Sequence, residues 1–216
     1  MLALAREFSL TRFLETGTYL GCTTAWAAGH FEEVITIEAS EELLRAAMEK
    51  HAGLRNVRWV HGDTRAVLRG EVERLSGPAV VWLDSHWSGG ATYGKDSECP
   101  LVLEIETLLA SLHEHHLFVD DARLFMAPPP PPHNPEDWPT LTDVVKALTK
   151  GPRPLEVLVL EDTLVAVPAA AKGLVWQYAQ DAASRAHMRD AGQSRATPVF
   201  ARLLATVGSA RRRFRR

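Results

Sequence analysis

The 216-residue chain has only two cysteines, Cys22 and Cys99. That is too few for a disulfide framework or a cysteine-based zinc site, and a reducing, cytoplasmic setting is the simplest expectation. No apolar run approaches the roughly 20 residues that cross a bilayer, so no membrane partner is expected. The opening Met1-Leu2-Ala3-Leu4-Ala5-Arg6 lacks the basic start and long apolar stretch of a secretory signal. No internal repeat is visible, and no linker separates domains before about residue 169.

The net charge of −3 conceals an asymmetry. Residues 1–168 carry 14 Lys and Arg against 25 Asp and Glu, a balance of −11. Residues 169–216 carry 10 against 2, a balance of +8, and finish Arg211-Arg212-Arg213-Phe214-Arg215-Arg216. An acidic body repels phosphates, so nucleic acid is not an expected partner of residues 1–168. The remainder reads as a basic extension, partly helical or disordered, whose charge run is solvated or meets polyanions.

Short apolar runs alternate with segments of helical period, the pattern of a parallel sheet covered by helices on both faces. Strands are expected at Arg12–Glu15, Val34–Glu38, Val57–Val60, Ala79–Asp84 and Leu117–Asp120. Helices are expected through about Ala28, after an N-cap at Ser40 with Glu41 and Glu42 in its first turn, and from Pro100 at a first helical position. In this last helix Leu101, Ile105, Leu108, Leu109 and Leu112 form a core-facing stripe. A proline run, Pro128–Pro132, leads to Thr140, a cap for a helix with Leu141, Val144, Val145 and Leu148 on one face. The final strands, Leu155–Leu160 and Thr163–Val167, are separated only by Glu161-Asp162. Two residues join antiparallel strands but cannot make a parallel crossover, so the sheet closes in a hairpin.

The sharpest motif is Phe13-Leu14-Glu15-Thr16-Gly17-Thr18-Tyr19-Leu20-Gly21. An acid at a strand end precedes a glycine that permits a tight turn, and a second glycine stands where a helix opens. The free N–H groups of that helix start suit a carboxylate ligand. Glu38, 23 residues after Glu15, ends the next strand, where an acid can accept from both hydroxyls of a ribose. Asp63, in His61-Gly62-Asp63-Thr64 after the third strand, is placed to accept from an adenine amino group.

This ordered set resembles the class I S-adenosylmethionine-dependent methyltransferases over roughly residues 11–168. The resemblance implies a Rossmann-like seven-stranded sheet of order 3-2-1-4-5-7-6 with strand 7 antiparallel. It also implies S-adenosylmethionine as cofactor, bound around Glu15, Gly17, Thr18, Tyr19, Gly21, Glu38, Asp63 and Thr64. Tyr19 departs from the family, which often has a middle glycine in this turn.

A second constellation is acidic. Asp84 ends the fourth strand, and Asp120 and Asp121 end the fifth. Three carboxylates at neighbouring strand ends repel one another and suit a hard cation such as Mg²⁺, which would orient and acidify a substrate hydroxyl. The placement is similar to that of metal-dependent O-methyltransferases of the macrocin and mycinamicin type. The competing reading makes Asp84 and Asp121 simple turn caps. His86 is a candidate general base because imidazole titrates near neutrality. The stretch from Ser88 to Gly94 reads as a lid, since no helix opens after it with Gly-Lys-Ser/Thr. His113-Glu114-His115-His116 reads as an exposed turn. His133 and Trp138 are expected along a substrate pocket, and Arg123 beside the acids or an anionic substrate.

The expected function is methyl transfer to oxygen of a small hydroxylated metabolite, with Asp84 and His86 catalytic. Two other classes stay open. A nucleotide-dependent oxidoreductase, or an oxygenase related to cephalosporin hydroxylase, could share the scaffold. The spacing Gly17 to Gly21 differs from GxGxxG and weakens the first. A non-catalytic binding domain is opposed by intact acids at Glu38, Asp63, Asp84, Asp120 and Asp121. Oligomeric state is not legible.

Overall fold

The computed structural model describes residues 1–89, 92, 94 and 97–194. The chain divides into two units, Met1–Lys172 and Gly173–Arg216. The first holds seven strands: β1 Arg12–Thr16, β2 Glu33–Glu38, β3 Val57–His61, β4 Val80–Leu83, β5 His116–Val119, β6 Glu156–Leu160 and β7 Thr163–Val167. Helix α1, Leu2–Glu7, precedes them, and between them lie α2 Cys22–Ala28, α3 Glu41–Lys50, α4 Thr64–Glu73, α5 Leu101–Leu109, α6 Arg123–Met126 and α7 Leu141–Thr149. The described residues of the second unit all belong to one helix, α8, Lys172–Ser194, which begins at the last residue of the first. The terminal arginines Arg211–Arg216, and with them the expectation of a polyanion-binding tail, lie outside the described residues. No helix among the described residues is long and apolar enough to cross a membrane.

The sheet runs β3-β2-β1-β4-β5-β7-β6, the expected order. The first five strands pair in parallel, and β7 pairs antiparallel with both β5 and β6. The hairpin closes in register, Leu160 opposite Thr163, and Glu161 takes a left-handed φ of 56° to make the turn. A parallel sheet must be covered on both faces, which explains the near-continuous apolar strands. Phe13, Leu14, Val34, Ile35, Val80 and Val81 are all fully buried.

Helix ends follow the expected chemistry. Ser40 caps α3 by accepting from the Leu43 N–H, with Glu41 and Glu42 in the first turn. Thr140 and Asp143 make a reciprocal capping box at α7. Pro100 caps α5 from just outside rather than opening it, and α5 stops at Leu109. Leu112 therefore leaves the predicted stripe and is 92% exposed. The histidine turn is a second correction. His115 and His116 are buried, the former accepting from the Ala79 N–H at 3.2 Å and the latter beginning β5 against Phe8. Burial pushes both imidazoles down to about 4. Helices α1, α4 and α6 were not expected from the sequence.

One contact sets the spacing of the central strands. The Asp84 N–H donates to Thr16 O at 3.0 Å, and Gly17, at φ 86°, lies flat against the Asp84 carbonyl. A Cβ at Gly17 would press into that carbonyl, and the backbone conformation is itself strained for an L side chain. Gly17→Ala is expected to destabilise by about 2 kcal/mol or more, read as a lowered urea midpoint. Gly53→Ala, where nothing lies within 4 Å of the new Cβ, is the comparison and should be near neutral. Equal midpoints for the two would contradict the contact.

Candidate functional site

The carboxyl ends of the parallel strands are tied into one edge by backbone bonds. The Gly17 N–H donates to Ile37 O, the Gly62 N–H to Glu38 O and the Asp120 N–H to Leu83 O, at 2.9–3.0 Å. Above this edge opens a cavity of about 500 Å³. Gly17, Tyr19, Glu38, Asp63, Thr64, Asp84 and His86 line it, as do Ser88, Gly89, Thr92 and Gly94 from the following loop. Residues Gly90, Ala91 and Tyr93 of the expected lid lie outside the described residues. Such a volume is within the range that encloses a cofactor-sized ligand.

Glu38 is 7% exposed. Its Oε2 accepts from the Tyr19 N–H at 2.8 Å and its Oε1 from the Ser40 N–H at 2.9 Å. A carboxylate has about four lone-pair sites, so each oxygen retains capacity toward the cavity. The bond to Tyr19 also holds a strained residue, because Tyr19 has φ 48°. Asp63 caps α4 through the Arg65 N–H and meets the Arg65 guanidinium at 2.6 Å.

Three residues expected at the cofactor do not reach the cavity. Glu15 is 1% exposed beneath the edge, accepting from the Thr24 and Thr36 hydroxyls at 2.5 and 2.6 Å. Thr18 is buried against the Thr36 hydroxyl, and Gly21 caps α2 against the His51 ring. These serve the turn rather than its opening. Burial pushes Glu15 up to about 7, against the pull of its two hydroxyl donors.

The acids of β4 and β5 do not converge on a shared ion site. His86 stands between two of them, Nε2 at 3.2 Å from Asp121 Oδ2 and Nδ1 at 3.5 Å from Asp84 Oδ1. Arg123 holds the other Asp121 oxygen at 2.7 Å and also pairs with Asp162. Asp120 turns back to accept the Asp121 N–H. Among the described residues, no group of three or more His, Cys, Asp or Glu side chains is placed to hold a metal ion. The repulsion expected of three acids is thus offset by an imidazole and a guanidinium.

These neighbours separate the titrations. Burial pushes Asp84 up to about 7. His86 draws Asp121 down to about 2, aided by Arg123. Burial works to lower His86, but the bond to Asp121 and the charges of Asp84, Asp121 and Asp120 leave it raised. Paired groups whose environments drive their titrations apart are a common acid–base arrangement.

Several side chains of the site were not anticipated. Ser85 lines the cavity and donates to Glu104 Oε1 at 2.6 Å. Glu104 is 2% exposed and raised by burial. It stands on the core stripe of α5, three residues after Leu101, and an acid at a buried register was the signal available. Glu98 is buried beside the proline segment and no periodicity marks it. His133 and Trp138 pack behind His86 rather than along the cavity, with Trp138 ring centroids 5.2 Å from His86 and 5.1 Å from His133.

Fold and edge define a Rossmann-like methyltransferase fold of class I, with its single antiparallel strand inserted next to the edge strand. Solved structures share it, among them the following three. An S-adenosylhomocysteine-bound methyltransferase of Podospora anserina, PaMTH1, matches with a TM-score of 0.55 and 18% identity, over 77% of this chain and 75% of that one. The O-methyltransferase TomG of Streptomyces achromogenes, involved in tomaymycin synthesis and solved with S-adenosylmethionine, gives 0.55 and 18% over 78% of each. An O-methyltransferase of Bacillus cereus in complex with S-adenosylhomocysteine gives 0.54 and 17%, over 77% of this chain and 78% of that one. No family model matches the sequence, and no curated protein is similar to it in sequence.

The buried acid makes a pH signature. Glu15 ionises at lower pH in the unfolded chain than in the folded one, so its contribution declines as pH rises from about 4.5 to 7. Glu15→Gln removes that slope. The stability of the variant relative to the parent should improve by about 2–3 kcal/mol between pH 4 and pH 8, measured by urea unfolding. A difference independent of pH would place an ionised Glu15 in the folded protein.

Proposed function

We propose that this chain is an S-adenosylmethionine-dependent methyltransferase acting on oxygen of a small hydroxylated metabolite. The observation that carries the reading is Glu38, a buried carboxylate at the end of β2 that faces the cavity beside Gly17. The O-methyltransferases TomG and that of Bacillus cereus, each solved with S-adenosylmethionine or S-adenosylhomocysteine, support it by fold. The strand order also separates the chain from dinucleotide-dependent oxidoreductases, whose doubly wound sheets follow 3-2-1-4-5-6.

In this reading Glu38 accepts the two ribose hydroxyls, Asp63 and Thr64 receive the adenine edge, and the backbone at Gly17 and Tyr19 lies along the amino-acid portion. S-adenosylmethionine, when bound, supplies an electrophilic methyl group. Asp84 lines the cavity and, raised to about 7, is the proton acceptor best matched to neutral pH. It would take the acceptor hydroxyl's proton as the hydroxyl oxygen bonds to the methyl carbon and the bond from that carbon to the sulfonium sulfur breaks, its electron pair staying on sulfur. His86, expected from sequence to be the base, is raised by its acids, and when protonated it steadies the Asp84 carboxylate. Asp121 and Arg123 fix His86 from behind. The acid set as arranged, engaged by His86, Arg123 and the Asp121 N–H, does not fit Mg²⁺.

Titration with S-adenosylhomocysteine tests the reading. The ligand should stabilise the fold by about 2.7 kcal/mol at a hundredfold excess over its dissociation constant, with or without EDTA. Glu38→Ala should weaken binding by roughly 1.5–3 kcal/mol per charged hydrogen bond lost. Once an acceptor is found, Asp84→Asn should lower kcat by about 10²–10⁴-fold, and activity in the parent should fall as pH drops below about 7 and Asp84 takes a proton. Stabilisation by NAD and not by S-adenosylhomocysteine would favour the oxidoreductase reading.

A further inference from the structure

Behind the cavity, one buried carboxylate gathers two separate segments. Glu98 is 3% exposed. Its Oε2 accepts from Trp138 Nε1 at 2.6 Å and lies 2.9 Å from His133 Nδ1, and its Oε1 accepts from the Asn134 N–H at 2.9 Å. Its carbonyl accepts from the Trp87 N–H at 2.8 Å. A carboxylate with this many donors is firmly oriented, and leaving them unpaired in a buried place is unfavourable. All the donors of its side chain come from residues 133–138, the end of the proline-rich segment. The backbone bond goes to the residue after His86.

The consequence falls on His86. Trp138, fixed at its indole nitrogen, lays its ring 5.2 Å from the His86 ring and 5.6 Å from Phe125. His133 meets Trp87 edge-on at 5.4 Å. Imidazole between two carboxylates can rotate about χ1 and χ2 unless it is packed, and the Trp138 ring meets it tilted at 58°.

We propose that Glu98 is a positioning residue: through Trp138 and the Trp87 backbone it holds the His86 ring between Asp84 and Asp121. Its bearing on methyl transfer rests on the function proposed above, but the positioning itself does not. No substrate is needed to see it, because His86 reports its own surroundings.

The test follows the His86 ring by NMR titration at its Cε1 carbon, in the full chain, in the parent, Glu98→Gln and Trp138→Phe. Glutamine at 98 presents an N–H₂ where one donor must be met, and phenylalanine at 138 keeps a ring but loses the indole N–H. In the parent His86 should titrate above the ordinary imidazole value of about 6.5. In either variant its midpoint should fall toward that value, because a released ring leaves both carboxylates and its burial together. An unchanged midpoint in a folded variant overturns the proposal. A raised midpoint also overturns it, since that would mean the ring gains water while staying between its acids. Trp138→Phe decides the matter should Glu98→Gln fail to fold. Titration of the same variants with S-adenosylhomocysteine separates the two claims. Affinity should stay within about threefold of the parent, and loss of affinity would mean that Glu98 supports the whole cavity rather than His86. Failure of the parent itself to bind would sink the methyltransferase reading and leave the titration result standing.

Discussion

The close approach of β1 and β4 at their carboxyl ends governs the rest of the site. A backbone bond from Asp84 to Thr16, with Gly17 against the same Asp84 carbonyl, places the turn after β1 within reach of the end of β4. The turn then bends toward β2, where the Gly17 N–H meets Ile37 O and the Tyr19 N–H meets the Glu38 carboxylate. A side chain at residue 17 would separate these strands. Glu38 and Asp84 therefore keep their spacing because one position has no Cβ.

The second constraint is electrostatic. Glu15, Glu98 and Glu104 are nearly inaccessible, and Asp84 is only partly open. An isolated buried carboxylate is costly, and the fold meets that cost in more than one way. Glu15 and Glu104 are raised by burial and rest on hydroxyl donors. Burial acts to raise Glu98 as well, but its indole, backbone and imidazole donors hold it below the ordinary range. Asp121 is held low by His86 and Arg123. The result is a floor of neutral or fully paired acids under a cavity lined by Asp84, which burial pushes up to about 7.

The sheet was legible because its strands are short apolar runs and its last turn has only two residues between Leu160 and Thr163. Residues placed by the backbone itself, at the ends of strands, were legible for the same reason: Gly17, Glu38, Asp63 and Asp84 all line the cavity. What depended on side-chain direction was not. Glu15 occupies a strand end but points down into Thr24 and Thr36. Asp120 and Asp121 are adjacent, yet the left-handed backbone of Asp121, φ 55°, sends them to different partners. His115 and His116 looked like an exposed turn because polar residues cluster there, but the strand begins one residue earlier than the apolar pattern. Glu98 lies in a stretch with no period, and its partners are 35 to 40 residues away.

A crystal structure of the chain grown with S-adenosylhomocysteine tests the central claim most directly. The account predicts the nucleoside in the cavity over β1 and β2, with both ribose hydroxyls donating to Glu38, and the sulfur turned toward Asp84 and His86. A ligand bound elsewhere, or a ribose that leaves Glu38 on Tyr19 and Ser40 alone, would contradict it.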